Sequence, residues 1–279
     1  MLRCLFSGGT APWQPHPAVV EAIRHERDGH HQKAFEILRK AYAEANLTKN
    51  NLACLHVLNC YCSFLDRRSH LPQYERYAAV QLILCERVGK SDPLACVMGY
   101  TSVGVFCLMA GRHEEGKRVL DTAERALASC HEYVDVLLKR ILQGKIHASI
   151  EIFHHSPPDN RHHDSIFQLL SRLETEVRLN AMEHATLHLV RAETYIVCLE
   201  DEAKATVERE AMFHHLGRTF DPTCPICLCD MEIGATTTLF LGSCFHALHR
   251  DCFARMPRIE RRPAFTRCPL CRLSVRVHV

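Results

Sequence analysis

Net charge is almost absent from this sequence: 34 Lys and Arg stand against 32 Asp and Glu in 279 residues, a formal balance of +2. So small a charge gives no bulk reason to bind nucleic acid or a membrane surface. Also missing are a phosphate-cradling glycine loop, a serine or cysteine nucleophile triad and a paired-carboxylate site. A secretory signal is not expected, because Ser7-Gly8-Gly9 follows Met1–Phe6 before an apolar core can form. Long apolar runs are scarce. Leu94–Gly111 reaches 18 residues without a charge, the lower limit for a membrane span. It contains Tyr100, Thr101, Ser102 and three glycines, and a helix buried on both sides explains the same residues, so no membrane span is expected. The length allows one to three domains and a real hydrophobic core.

Two residue types are abundant instead, cysteine at 16 and histidine at 20. Ten cysteines (Cys4, Cys54, Cys60, Cys62, Cys85, Cys96, Cys107, Cys130, Cys198 and Cys229) are scattered, mostly through apolar helix-like stretches. There they read as small buried hydrophobes. The other six fall in pairs or beside histidines within 48 residues. A secreted disulfide scaffold is shorter and evenly cysteine-dense, so the expected compartment is reducing, cytoplasmic or nuclear. The four His-His pairs, at 30–31, 154–155, 162–163 and 214–215, read as solvated loop and helix ends.

From about Pro17 to Phe213 the apolar pattern has a period of 3.6. One stripe is Ala34, Ile37, Leu38, Ala41, Tyr42 and Ala45; a second is Val119, Leu120, Ala123, Ala126 and Leu127. Ile166, Leu169, Leu170, Leu173 and Val177 form a third, and Ala185, Leu189, Ala192, Ile196 and Leu199 a fourth. Ser91-Asp92-Pro93 supplies an N-cap followed by proline at the first helical position. Gly29 and Gly111 suit turns between paired helices, and residues 155–160 form an internal loop. A long helix is expected over about Glu183–Phe213, packed on the preceding region rather than dimerising, because its Ala192, Ile196, Leu199, Ala203 and Val207 seam is narrow. Gly217–Pro222 is the expected boundary, dividing the chain into an extension (1–16), a helical repeat region (17–216) and a C-terminal domain (217–279).

Within the helical region two segments repeat. Tyr100, Val103, Gly104, Cys107, Gly111, His113, Gly116, Leu120 and Ala123 fall at the large, small and turn positions of a helical hairpin. Gly29, His31, Ala34, Leu38 and Ala41 reproduce the second half of that register, and room remains for another hairpin around Asn51–Arg87. The region resembles a tetratricopeptide-type array, without the usual Trp and closing Pro. The resemblance implies close helix approach at Gly104 and Gly116 and a face for a protein partner.

The C-terminal ligand string is Cys224-x2-Cys227-x16-Cys244-x-His246-x2-His249-x2-Cys252-x15-Cys268-x2-Cys271. Structural zinc takes four Cys or His ligands in a tetrahedron, so eight make two closed sites, and a two-residue gap lets one turn aim two thiolates at one ion. A segment this short and polar depends on metal for its folding free energy. The Cys-x-His-x2-His-x2-Cys centre separates it from a PHD finger, which has cysteine at the fourth ligand, and from a LIM domain. It resembles the RING finger with two central histidines. The fold class expected for the whole chain is therefore mostly α, a tetratricopeptide-like hairpin array followed by a small cross-brace RING.

That resemblance implies two Zn2+ ions, one on Cys224, Cys227, His249 and Cys252, the other on Cys244, His246, Cys268 and Cys271. Cys229 is left as a free thiol. It further implies a ubiquitin ligase whose shallow groove for a ubiquitin-conjugating enzyme uses Ile226, Pro269 and Leu270, with Met256 where related domains often carry Trp. Arg272, just after the last ligand, is placed to bridge the conjugating enzyme and ubiquitin, and the helical repeats to recruit a protein substrate. The alternative is a non-catalytic scaffold with a zinc-stabilised docking module, as in rapsyn-like and vacuolar-sorting proteins. Arginines crowd the segment (250, 255, 258, 261, 262, 267, 272 and 276), and the insertion at 257–266 carries three of them. The zinc-bound thiolates nearly offset that excess and no aromatics interleave for base stacking, so nucleic acid is not an expected partner.

Overall fold

The computed structural model describes residues 16–67, 71–89, 91–131, 134–155, 160–242, 244–257 and 265–276. The expected extension thus lies almost wholly outside the described residues, as do most of the 155–160 loop and of the arginine-bearing insertion. By packing, the chain divides into two compact units, 1–177 and 178–279.

The first unit is helical: α1 (Pro17–Arg27), α2 (His31–Leu47), α3 (Asn51–Arg67), α4 (Leu71–Val88), α5 (Pro93–Met109), α6 (His113–Leu127), α7 (Val134–His155) and α8 (Asn160–Glu176). Each helix packs on the next, while α1 also reaches α3, α3 reaches α5, and α5 reaches α7. That is the contact pattern of stacked helical hairpins. The turns after α1 and α5 pass through Gly29 and Gly111 at φ +81° and +76°, a region costly for residues with a Cβ. Asp92 caps α5, its Oδ1 accepting from the Ala95 N–H at 2.8 Å, and Pro93 opens the helix.

The apolar stripes explain the packing. Ala34, Leu38, Ala41 and Ala45 are buried on α2; Leu120, Ala123 and Leu127 on α6; Ile166, Leu169, Leu170 and Leu173 on α8. Helix α5 is buried on most sides, from Leu94 through Leu108, which accounts for its lack of charge. Among the described residues no helix is long and apolar enough to cross a membrane. Two polar devices bind the layers. Asn59 on α3 donates to the Ala95 carbonyl of α5 and accepts from Gln81 of α4, at 2.9 and 2.6 Å. Glu124 on α6 pairs with Lys145 on α7 and Arg172 on α8, at 2.7 and 2.6 Å.

The second unit contains α9 (Ala181–Leu199), α10 (Glu202–Leu216), β1 (Thr238–Phe240), β2 (Ala247–His249), α11 (Arg250–Ala254), β3 (Phe265–Arg267) and β4 (Ser274–Arg276). Each strand pair is antiparallel, with Thr238 opposite His249 in the first. The single helix expected over Glu183–Phe213 is two helices packed side by side. Glu200 adopts a left-handed conformation at φ +51° and Asp201 caps the next helix through the Lys204 N–H at 3.0 Å. Reversal turns the supposed seam apart: Ala192 and Ile196 are buried, whereas Ala203 and Val207 face solvent. Gly217 ends α10 in the left-handed region, so the boundary expected there falls inside the second unit, and α9 and α10 share that unit with the cysteine-rich segment.

Helices α5 and α6 touch where Gly104 meets Gly116. A Cβ on Gly116 would lie 3.0 Å from the Gly104 carbonyl oxygen and 2.5 Å from Leu108 Cδ2. The backbone oxygen cannot move aside without separating the helices. Gly116→Ala gains about 0.5–1 kcal/mol of helix propensity and loses about 1–3 kcal/mol to overpacking. A net destabilisation of about 1–2 kcal/mol is expected, measured as a lower denaturant midpoint; an unchanged midpoint contradicts the close approach.

Candidate metal centre

Three turns of one design build the centre. In the first, the Leu228 N–H donates to the Cys224 carbonyl at 2.9 Å and the Cys224 N–H donates to the Cys229 carbonyl at 3.0 Å. Cys268 to Leu273 repeats it, with Arg272 N–H to Cys268 carbonyl at 3.0 Å and Cys268 N–H to Leu273 carbonyl at 2.9 Å. Leu241 to His246 repeats it again, at 2.7 and 2.9 Å. The closing residues Leu228, Phe245 and Arg272 all sit near φ +60°, although none is glycine. Such backbone costs on the order of 1–3 kcal/mol per residue and persists where the surroundings over-determine it.

These turns, with β2 and the start of α11, collect two quartets. Cys224, Cys227, His249 and Cys252 bring their ligand atoms within 4.8 Å of one another, and so do Cys244, His246, Cys268 and Cys271. The quartets interleave along the chain, which is the cross-brace. His249 Nδ1 lies 3.2 Å from Cys227 Sγ, and His246 Nδ1 lies 3.5 Å from Cys268 Sγ. Each histidine thus turns Nδ1 to its cluster. For His249 this leaves Nε2 to donate to the Asp230 carbonyl at 3.3 Å, a contact that orients the ring. Cys229 belongs to neither quartet; its exposed thiol points at the Cys227 carbonyl.

The donor sets are three thiols and one imidazole each, closed and tetrahedral in number, which suits structural zinc. Protons are held unevenly. Burial opposes ionisation of Cys224, yet the Cys227, His249 and Ile226 amides bring it down to about 6. Burial raises Cys244 to about 12, and burial with the neighbouring Cys227 thiol raises Cys252 to about 11. Zinc binding must therefore displace protons from these last two thiols, so affinity falls as pH falls.

The small core between the quartets is Cys224, Met231, Leu241, Cys244, Leu248 and Cys268. Met256, just past α11, packs against it, whereas Ile226, Leu228, Leu270 and Leu273 are exposed by 45%, 75%, 54% and 51%. Arg272, Arg255 and Arg267 are also exposed, and Pro269 is half-buried. Arg250 is different: its Nη2 contacts Glu193 of α9, and its Nε donates to the Thr236 carbonyl at 2.6 Å. The insertion arginines 258, 261 and 262 lie outside the described residues. The spacing of ligands gave no hint of Glu193 or Arg209, which meet the segment from the helical pair; an arginine in an otherwise ordinary helix reads as solvated.

Two zinc equivalents per chain are expected by elemental analysis. Removing them with a chelator should abolish amide protection in β1 and β2 while the helices of residues 17–176 keep theirs. Protection in β1 and β2 that survives complete zinc removal contradicts a metal-dependent fold.

Comparison with known families and proteins agrees with this geometry. Residues 222–272 match the family model described as Ring finger domain. No curated protein and no solved structure matches the chain. The matched residues contain both quartets, three equivalent turns and the cross-brace, and the C-terminal segment of this chain is a RING finger domain with sites for two zinc ions.

Proposed function

We propose that the chain is a RING-type ubiquitin ligase. The observation that carries this reading is the exposure of four large apolar side chains, Ile226, Leu228, Leu270 and Leu273, around the two Cys-Pro-x-Cys turns. A zinc module this small has little apolar surface to spare. Exposed apolar groups gathered on its turns mark a protein-binding face, here for a ubiquitin-conjugating enzyme. Ile226, Pro269 and Leu270 supply the groove and Met256, half-buried beside it, an adaptable edge. Arg272 sits one residue past the last ligand, its backbone fixed by the turn and its side chain exposed, and a guanidinium can hydrogen-bond two acceptors at once.

On this reading the domain forms no covalent intermediate and moves no proton. Holding the charged conjugating enzyme and restricting its ubiquitin, it brings thioester and substrate lysine into one reactive arrangement, which is catalysis by orientation. The stacked hairpins of the first unit, tetratricopeptide-like in register, would hold the substrate in a reducing compartment of the cell. A pure scaffold has no need for an arginine in this strained turn beside exposed apolar groups.

With activating enzyme, ATP, ubiquitin and a panel of conjugating enzymes, the purified chain is expected to build polyubiquitin. Ile226→Ala and Arg272→Ala should each lower the rate by about tenfold or more, a loss of roughly 1.4 kcal/mol, with both zinc ions retained. Alanine keeps the Cβ at position 272, so the turn is not relaxed. Inactivity with every conjugating enzyme tried would favour the docking-module reading.

A further inference from the structure

The helical pair α9–α10 meets the RING through one fully buried cation. Arg209 of α10 is 0% exposed. Its Nη1 donates to the carbonyls of Ile233 and Ala235 at 2.6 and 3.1 Å, and its Nη2 to the Thr238 carbonyl at 3.2 Å and to Glu193 at 2.8 Å. The guanidinium stands 4.8 Å over the Phe240 ring. A buried charge is stabilised by pairing and hydrogen bonding. Here Nη1 and Nη2 make every hydrogen bond, Nε having no partner among the described residues, and three of the partners are main-chain oxygens of one RING segment, 233–238. The same segment is held from α10 at two more points. The Thr236 N–H donates to Glu202 at 2.9 Å, and Gly234 lies so close that a Cβ there would overlap Thr206 Oγ1.

That segment leads directly to a zinc ligand. Thr238 is the β1 residue opposite His249 in β2. The next residue, Arg250, donates its backbone N–H to the Thr237 carbonyl at 2.8 Å, and its side chain reaches both Thr236 and the second oxygen of Glu193. Glu193 therefore bridges two arginines, one gripping the strand opposite His249 and the other adjoining His249 in the chain. Around this clamp Ala185, Leu189, Met212 and Phe213 of the helices close a second apolar core with Phe240 and Phe245 of the RING. Among the described residues the other quartet adjoins this packing only through Cys244 and His246, which flank Phe245 in the chain.

We infer that α9 and α10 are a working part of the RING, with Arg209 and Glu193 as positioning residues that hold His249 in the first zinc site. The functional module accordingly begins near residue 178 rather than at 217. Outer groups that orient a ligand typically change metal affinity by about 10–100-fold when removed, so their loss should be felt at one ion rather than at both. This inference rests on the zinc centre and is independent of ligase activity.

The test uses the full-length, zinc-loaded chain with Arg209→Met, which keeps the apolar stem, and Glu193→Gln, which keeps volume and removes the shared charge. Zinc transfer to a chromophoric chelator is followed while released cysteines are alkylated and mapped by mass spectrometry. One equivalent is expected to leave at least about tenfold faster than in the parent chain, with Cys224, Cys227 and Cys252 labelled before Cys244, Cys268 and Cys271. Val207→Ala, on the exposed side of α10, should leave both phases unchanged. If Arg209→Met does not fold, Glu193→Gln decides alone. Unaltered release in Glu193→Gln, or equal acceleration at both quartets, overturns the inference.

Discussion

A 51-residue segment with a six-residue internal core has to be organised by something other than burial, and two metal-binding quartets supply that organisation. Everything specific about the RING follows from where eight donor atoms must converge. Convergence requires three sharp turns, and each turn places a non-glycine residue in the left-handed region. Those residues are Leu228, Phe245 and Arg272, so the cost of the metal geometry falls on the residues that bear its neighbouring chemistry: an exposed apolar group, a side chain of the second core, and an exposed cation. Metal and surface are thus one design.

Zinc alone does not complete the module. The cross-brace fixes the ligands relative to each other but leaves 233–238, between the second and third ligands, without a regular ladder of its own beyond Thr238. Arg209 supplies the missing donors. A cation with several N–H groups in one plane satisfies three carbonyls and a carboxylate simultaneously, which lysine's single ammonium could not do in the same space. Its burial is tolerated because each of these acceptors would be costly to leave unpaired. The helical pair is then an outer wall, and the Phe213, Phe240 and Phe245 cluster makes the wall apolar where it meets the RING.

How much of this was visible in the chain depended on range. Zinc ligands are legible because their spacing encodes a local turn, and the apolar stripes of α2, α6 and α8 because burial imposes a 3.6 period on one helix at a time. The meeting of Gly104 and Gly116 was legible for the same reason: two small residues in register across one turn. The break between α9 and α10 was less so. No glycine or proline marks it, and Glu200 takes the left-handed position at an energetic cost that only the tertiary fold justifies; the capping Asp201 was the available signal. Glu193 and Arg209 were invisible, since their partners lie 57 and 29 residues away and mostly on the main chain.

That last class of contact bears on where a domain ends. Composition changes at Gly217, and the likeness to the Ring finger domain begins at residue 222, yet the buried cation that completes the RING sits at 209. Boundaries drawn from ligand spacing follow the metal; boundaries drawn from packing follow unpaired polar groups, and the two need not coincide. A fragment cut at Gly217 would keep all eight ligands while leaving the carbonyls of Ile233 and Thr238 without the Arg209 donor, the Ala235 carbonyl with only the Thr238 N–H at 3.1 Å, and the apolar faces of Phe240 and Phe245 open to water. The Ile233 and Thr238 oxygens would then need water in place of the guanidinium, and the strand opposite His249 would lose the constraint that fixes it. Metal supplies the fold of the RING, and the helices set how firmly one of its ligands is held.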